Sequence, residues 1–363
     1  MTTRHVLMTA DAVGGVWQYA IELATSLRPL GWQTRLALLG PAPTDVQRRE
    51  AEEAGATLIE TGLTLDWLAG DADEVLATGQ AITALAESEG VDLLQLNQPA
   101  FAAAPRGRVP RIAVSHSCVD TWWRAVETGP APDSFAWQTD LVRRGLTTAD
   151  AVVAPSASHA RAVAAAYGIA EPVVVHNGRT PLGGSGGGPH DFAFTCGRLW
   201  DRAKNVATLD RAAALLGVPF KAAGATVGPN GERIELRHLL GLGSVDEAVI
   251  AGCIGARPVF ASAARYEPFG LAVLEAAMAG CALVLSDIPT HRELWDGAAR
   301  FVDPLDADGF AQALEGLLGD VPARLVQGDL ARRRAQKFTP GKMAEGMAAL
   351  YARLLGPHSR AAA

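Results

Sequence analysis

Cysteine, aromatic residues and surplus positive charge are all scarce in this chain of 363 residues. The four cysteines, Cys118, Cys196, Cys253 and Cys281, are scattered and never form a CxxC pair. With apolar neighbours, they predict reduced, buried thiols in a cytoplasmic protein. Aromatics supply 6% of the residues, which leaves an alanine- and leucine-rich chain suited to helices packed on sheets. A net charge of −7 offers no basic surplus for neutralising phosphates and argues against a general nucleic-acid partner. No apolar run is long enough to span a bilayer, and Arg4-His5-Val6-Leu7-Met8 is too short for a secretory leader. The expectation is a soluble protein, with membrane association disfavoured though left open.

What the chain does have is alternation. Strand-like runs such as Val6–Ala10, Arg35–Leu39 and Arg111–Ser115 alternate with helix-like segments, the mark of α/β architecture with a parallel sheet. The stretch Pro181-Leu182-Gly183-Gly184-Ser185-Gly186-Gly187-Gly188-Pro189 reads as a linker. Beyond it the alternation restarts, with a strand expected near Leu236–Leu240. The length suits two doubly wound Rossmann-like domains. The expected division is 1–180, a linker 181–190, 191–340, and a C-terminal helix 341–363 that could pack back on the first domain.

The most telling stretch is Arg265-Tyr266-Glu267-Pro268-Phe269-Gly270-Leu271-Ala272-Val273-Leu274-Glu275. It reads as a strand-to-helix turn with a helix starting at Pro268, since proline is tolerated in a first turn. Glu275 stands alone among apolar neighbours about two turns into that helix. A buried carboxylate needs a partner, whether a structural ion pair or ligand hydroxyls. The amides of Phe269, Gly270 and Leu271 would suit an anion at the helix start. A ligand with both hydroxyls and phosphates fits this pattern.

Other candidates accompany it. Gly14 and Gly15 follow the first strand, either to satisfy backbone angles or to let a ligand approach; they are not a GxGxxG dinucleotide fingerprint. His116 follows the strand Arg111–Ser115, as a structural or a ligand-facing residue. Arg198 and Lys204 sit at a strand end and a helix start, where positive charge does not help the fold and a diphosphate would need it. Arg202, nearby, could stand in as the second cation. Asp71-Ala72-Asp73 and Asp306-Ala307-Asp308 match a metal-binding Asp-x-Asp pattern but read better as helix caps, so no metal site is expected. His5, His159, His190, His238, His291 and His358 show no metal-ligand spacing and read as surface or structural.

In their order along the chain, Gly14-Gly15, His116, Asn177-Gly178, the Arg198/Lys204 pair, Glu267 and Glu275, and Ser286-Asp287-Ile288-Pro289 resemble the retaining GT-B glycosyltransferases of family 4. The resemblance implies two Rossmann-like domains facing a central cleft. It implies metal-independent transfer of a hexose from a nucleotide diphosphate sugar, UDP- or GDP-linked, to a sugar or glycan acceptor in bacterial polysaccharide synthesis, with no cofactor. Glu267 would lie beside the donor sugar, Glu275 on the ribose, His116 near the sugar C6 hydroxyl, and Arg198 and Lys204 on the diphosphate. Trp122, Trp123 and Arg124, expected in a loop, either fold back on the core, as one or both tryptophans would in a structural role, or face the acceptor, one tryptophan packing on a sugar ring with its N–H free to donate. A mixed or acidic charge on Ala42–Ala54 and Asp73–Ser88 favours a soluble acceptor over a lipid. Two rivals stand beside this reading: a nucleotide-sugar-binding protein without transfer, and a sugar-nucleotide epimerase.

Overall fold

The structure, a computed structural model, describes residues 3–12, 14–183, 188–229 and 231–356. Residues 184–187 of the glycine-rich stretch and the terminal 357–363, which include His358, lie outside the described residues. The chain forms two compact units. Unit 1 holds Met1–Arg124, Thr128–Arg179 and Thr339–Ala363; unit 2 holds Ala125–Glu127 and Thr180–Phe338.

Unit 1 is built on strands β1 (Arg4–Asp11), β2 (Trp32–Leu39), β3 (Thr57–Glu60), β4 (Leu93–Leu96), β5 (Arg111–Val114), β6 (Ala151–Ala154) and β7 (Val173–Val174). They pair in parallel in the order β3-β2-β1-β4-β5-β6-β7. Alternate residues of β1 feed two separate cores, as a strand buried on both faces requires. Val6, Met8 and Ala10 pack with the helices Gly15–Leu27 and Pro340–Leu355, whereas Leu7 packs with the helix Ala72–Ser88. Each large side chain so buried contributes on the order of 1.5–3 kcal/mol. The C-terminal helix is therefore part of unit 1's core. Its entry is tight: a Cβ on Gly178 would stand 2.3 Å from the Thr339 carbonyl oxygen, so only glycine fits where the chain leaves and re-enters the unit.

Unit 2 holds β8 (Ala193–Cys196), β9 (Phe220–Ala223), β10 (Leu240–Gly243), β11 (Val259–Ser262), β12 (Ala282–Ser286) and β13 (Arg300–Val302), parallel in the order β10-β9-β8-β11-β12-β13. In both sheets the winding reverses once, between β1 and β4 and between β8 and β11. Ligands of open α/β sheets bind beyond the strand ends at such reversals.

Three local expectations are corrected. The strand near Leu236–Leu240 begins only at Leu240, because the amides of Arg237, His238 and Leu239 donate to one Asp210 carboxylate oxygen at 2.9–3.0 Å instead of to a strand. The helix expected from Pro268 starts at Leu271, because its cap Gly270 takes a left-handed conformation with φ 91°. Glu275 is thus only the fifth helical residue. Trp122, Trp123 and Arg124 lie in a helix, Val119–Val126, not a loop.

Candidate active site

Beyond the reversal in unit 2, β8 delivers Gly197 and Arg198, a short turn Arg202–Lys204 follows, and β11 delivers Glu267. The Lys204 ammonium donates to Glu267 Oε2 at 2.5 Å, joining positions 63 apart in sequence. Both side chains are mostly withdrawn from water, 24% and 12% exposed. Arg198 donates to Asp201 at 3.0 Å and lies beside the Trp200 ring, its side chain half exposed. This corrects the argument that the two cations serve nothing in the fold: each has a carboxylate partner. A lysine ammonium has three donors, however, so a bond to Glu267 leaves capacity for a phosphate.

Gly270 sits against this pair. A Cβ there would lie 3.2 Å from Glu267 Cγ on a backbone that L-residues rarely adopt, so the glycine shapes the space of the glutamate. Phe269 is buried, its ring edge-on to Phe338 at 5.5 Å, which fixes the turn between Glu267 and the helix Leu271–Met278. Gly270, Leu271, Ala272 and Val273 carry the first amides of that helix, since the first intrahelical bond runs from Leu274 to the Gly270 carbonyl. Glu275 is half-buried; its charge adds to burial in holding the Cys196 thiol protonated.

His291 is a residue that the sequence reading passed over. It is fully buried, bonded through Nδ1 to the Ser286 carbonyl at 3.0 Å, and its Nε2 has no hydrogen-bond partner among the described residues. Burial lowers its basicity while the Glu267 charge pulls the other way, which places it electrically beside the Lys204–Glu267 pair. His159 is buried too, against Ser115 Oγ at 3.1 Å. Neither is a surface residue. The only sequence signal for His291 was its place five positions after Ser286 at the end of β12.

In unit 1, Gly14 caps the helix Gly15–Leu27 at φ 98° and so answers to backbone geometry. Gly15 is the first helical residue and exposed, with no such requirement. His116, half-buried, meets Asn97 Oδ1 through Nε2 at 3.2 Å and the Tyr19 ring edge-on at 4.4 Å. Desolvation, with a contribution from His159, pushes its pKa down to about 3, so the imidazole is neutral at physiological pH. Near the end of β1, burial raises Asp66 to about 6, and the charge of Asp11 adds to this. Asp11, Asp66 and Asn97 are the polar residues at this edge that sequence reasoning did not select, although Asn97-Gln98-Pro99 marks the end of β4.

The acceptor candidates divide. Trp123 donates its N–H to the Gly129 carbonyl at 3.2 Å and packs on Phe135 at 5.7 Å, so it is anchored and its N–H is not available. Arg124 pairs with Asp120 one turn back at 2.9 Å and is largely exposed. Trp122 is half-buried beside Trp123 at 6.3 Å. Asp71 and Asp306 cap helices, accepting from Glu74 and Gly309 amides at 2.9 and 2.8 Å. Among the described residues, no group of three or more His, Cys, Asp or Glu side chains could hold a metal, and no helix is long and apolar enough to cross a membrane.

Residues 13–180 match the model of Glycosyltransferase Family 4, and residues 191–320 match that of Glycosyl transferases group 1. Both halves of the chain thus match glycosyltransferase domains, an arrangement consistent with the family 4 enzymes. The fold agrees with GT-B glycosyltransferases. A sucrose-phosphate synthase from Thermosynechococcus elongatus is similar with a TM-score of 0.78 at 18% identity, over 97% of this chain and 99% of that one. Anabaena HepE, solved with UDP and glucose, is similar with a TM-score of 0.74 at 17% identity, over 96% and 99%. The phosphatidyl-myo-inositol mannosyltransferase of Mycolicibacterium smegmatis is 35% identical over 153 residues. That match spans 39% of this chain and about two fifths (40%) of the relative's length.

Proposed function

We propose that this family 4 chain is a retaining hexosyltransferase that takes its sugar from a nucleoside diphosphate, UDP- or GDP-linked, and delivers it to an acceptor hydroxyl in bacterial glycan synthesis. The observation that carries the reading is the Lys204–Glu267 contact at the sheet reversal of unit 2. It couples a cation suited to phosphate with a carboxylate suited to sugar hydroxyls.

Breaking the anomeric bond builds negative charge on the leaving diphosphate. Lys204 and Arg198, with the amides at the start of the helix Leu271–Met278, would meet that charge with groups already in place. Glu267 would hold donor-sugar hydroxyls and keep Lys204 oriented. Glu275 would accept from the ribose. In unit 1, His116 would accept from a donor-sugar hydroxyl, and Gly15 would leave room for the donor. Trp122 and Arg124 would meet the acceptor, with Trp123 as their support. Two lysine and arginine cations do the neutralising that a divalent metal does elsewhere, so transfer proceeds without a metal. The names of the relatives support a nucleotide-sugar donor and a hydroxyl-rich acceptor: one was solved with UDP and glucose, another is a phosphatidyl-myo-inositol mannosyltransferase.

The test is incubation with UDP-, GDP- and ADP-hexoses, in EDTA, with inositol phospholipid and free sugars as acceptors. Glycosylated product in EDTA is expected. An epimerised donor would establish the epimerase instead, and a bound but unchanged donor across the panel would leave a binding protein. Activity that EDTA abolishes and manganese restores would overturn the metal-independent reading.

A further inference from the structure

The ends of β1, β4 and β5, three neighbours in unit 1's sheet, carry a continuous chain of buried polar groups. Thr9, Gln95, Asn97 and Tyr351 are each at most 3% exposed. Tyr351, on the C-terminal helix Pro340–Leu355, donates its hydroxyl to Gln95 Oε1. Gln95 Nε2 donates to Asn97 Oδ1 at 3.0 Å and to the Tyr19 hydroxyl at 3.3 Å. Asn97 donates Nδ2 to the Thr9 main-chain oxygen at 2.6 Å and its amide to Thr9 Oγ1 at 2.8 Å. His116 Nε2 closes the chain at Asn97 Oδ1.

One group in this chain has no choice of role. The Thr9 carbonyl can only accept, so the Asn97 NH₂ must face it and Asn97 Oδ1 must face the imidazole. An oxygen that can only accept requires the proton on His116 Nε2. In the neutral ring that burial favours, Nδ1 then carries the lone pair. Gln95 supplies a second donor to the same oxygen and resists a flip of the amide, and Tyr351 holds Gln95 in turn. Because the chain lies out of water, each partner lost would leave a buried group unsatisfied, which makes the arrangement rigid.

We infer that Asn97 is a positioning residue, backed by Thr9, Gln95 and Tyr351, which fixes His116 as the Nε2–H tautomer and presents Nδ1 as an acceptor to a substrate hydroxyl. The hydrogen-bond geometry puts a proton on Nε2 and desolvation keeps the ring neutral; its use on a sugar hydroxyl rests on the glycosyl-transfer reading. The C-terminal helix thus reaches the imidazole through two side-chain amides, and Tyr351 contributes to the site without touching a ligand.

The experiment is a long-range ¹H–¹⁵N spectrum of histidine-labelled full-length protein at pH 7, with His116 assigned by comparison with His116→Gln. The expected parent signal is a single neutral ring with a pyrrole-like Nε2 and a pyridine-like Nδ1. An Nδ1–H ring, an imidazolium or a mixture in the parent would overturn the inference. Asn97→Ala should turn the ring into a tautomer mixture and lower kcat on the order of tenfold, with the donor KM little changed. Should that variant not fold, Gln95→Met, of similar shape, carries the same expectation with a smaller fall. A sharp Nε2–H ring persisting in both variants would show that the network positions nothing. The spectrum needs no substrate, so finding no transfer with any donor would count against the proposed function and not against the tautomer.

Discussion

The two sheet reversals solve opposite electrostatic problems. In unit 1 the reversal carries a half-buried imidazole bonded to a buried network of two side-chain amides and tyrosine hydroxyls, with the carboxyls of Asp11 and Asp66 nearby. In unit 2 it carries charged pairs, Lys204–Glu267 and Arg198–Asp201, partly open to solvent. Neutral groups with fixed donors and acceptors suit the orienting of hydroxyls, where discrimination depends on direction. Cations held by carboxylates suit a leaving group whose charge grows during the reaction, because they are present before it and need little rearrangement.

The difference is broken most sharply at Lys204. Lys204→Ala should lower kcat/KM by about 10²–10³-fold and also destabilise by about 1–3 kcal/mol, because Glu267 loses its partner in a poorly solvated place. Arg198→Ala should cost turnover with a stability change below about 1 kcal/mol, since the Arg198 side chain is half exposed and buried Asp201 keeps its bond from the Ala203 amide. Steady-state kinetics and denaturant melts on both variants check this. Equal stability losses would erase the distinction between the pairs.

Next in size is Gly270→Ala. It forces a side chain onto a left-handed cap and presses on Glu267 Cγ, which should cost about 1–3 kcal/mol and lower kcat. An unchanged melting midpoint together with unchanged turnover would show that this turn does not constrain the glutamate.

Acid titration probes the neutral side of the comparison. His116 and His159 are pushed down to about 3 and about 4, and buried His291 is lowered as well. Below their unfolded value near 6.5 the unfolded chain takes up protons that the folded chain refuses, so stability falls as pH drops from 6.5 towards 4. Each such group removes up to about 1.4 kcal/mol per pH unit. Asp66, raised to about 6, works the other way: its folded form binds a proton first, so it returns some stability as pH falls from 6 to 4. Denaturant midpoints at pH 7, 6 and 5 should decline; a rise would mean that the histidines are charged in the folded protein.

A smaller effect is expected on the acceptor side. Trp122→Ala should raise the acceptor KM with slow donor hydrolysis retained, whereas Trp123→Ala should mainly loosen the fold, since its N–H and ring are committed to Gly129 and Phe135. Identical kinetics in the two variants would remove the division between them.

The alternation of strands and helices was legible because parallel strands buried on both faces are short apolar runs, as Val6–Ala10 and Ala282–Leu285 show. The candidate residues stood out where chemistry disagrees with local surroundings, as Glu275 does among alanines and leucines. What stayed hidden depends on distant partners. The Arg237–Leu239 amides are diverted by Asp210, 27 or more positions away. His291 looked ordinary until burial beside Glu267 was visible. Gln95 and Asn97 are unremarkable in sequence, and Tyr351, 256 positions from Gln95, meets it only because the last helix packs on the first domain's core.

The central claim, that a nucleoside diphosphate binds at the charged reversal of unit 2, is tested most directly by calorimetric titration of UDP, GDP and ADP into the parent, Lys204→Ala and Glu275→Gln. The account predicts one-to-one binding of at least one nucleotide to the parent, weakened on the order of tenfold in each variant. Binding of equal strength in all three proteins, or no binding of any nucleotide to the parent, would contradict it.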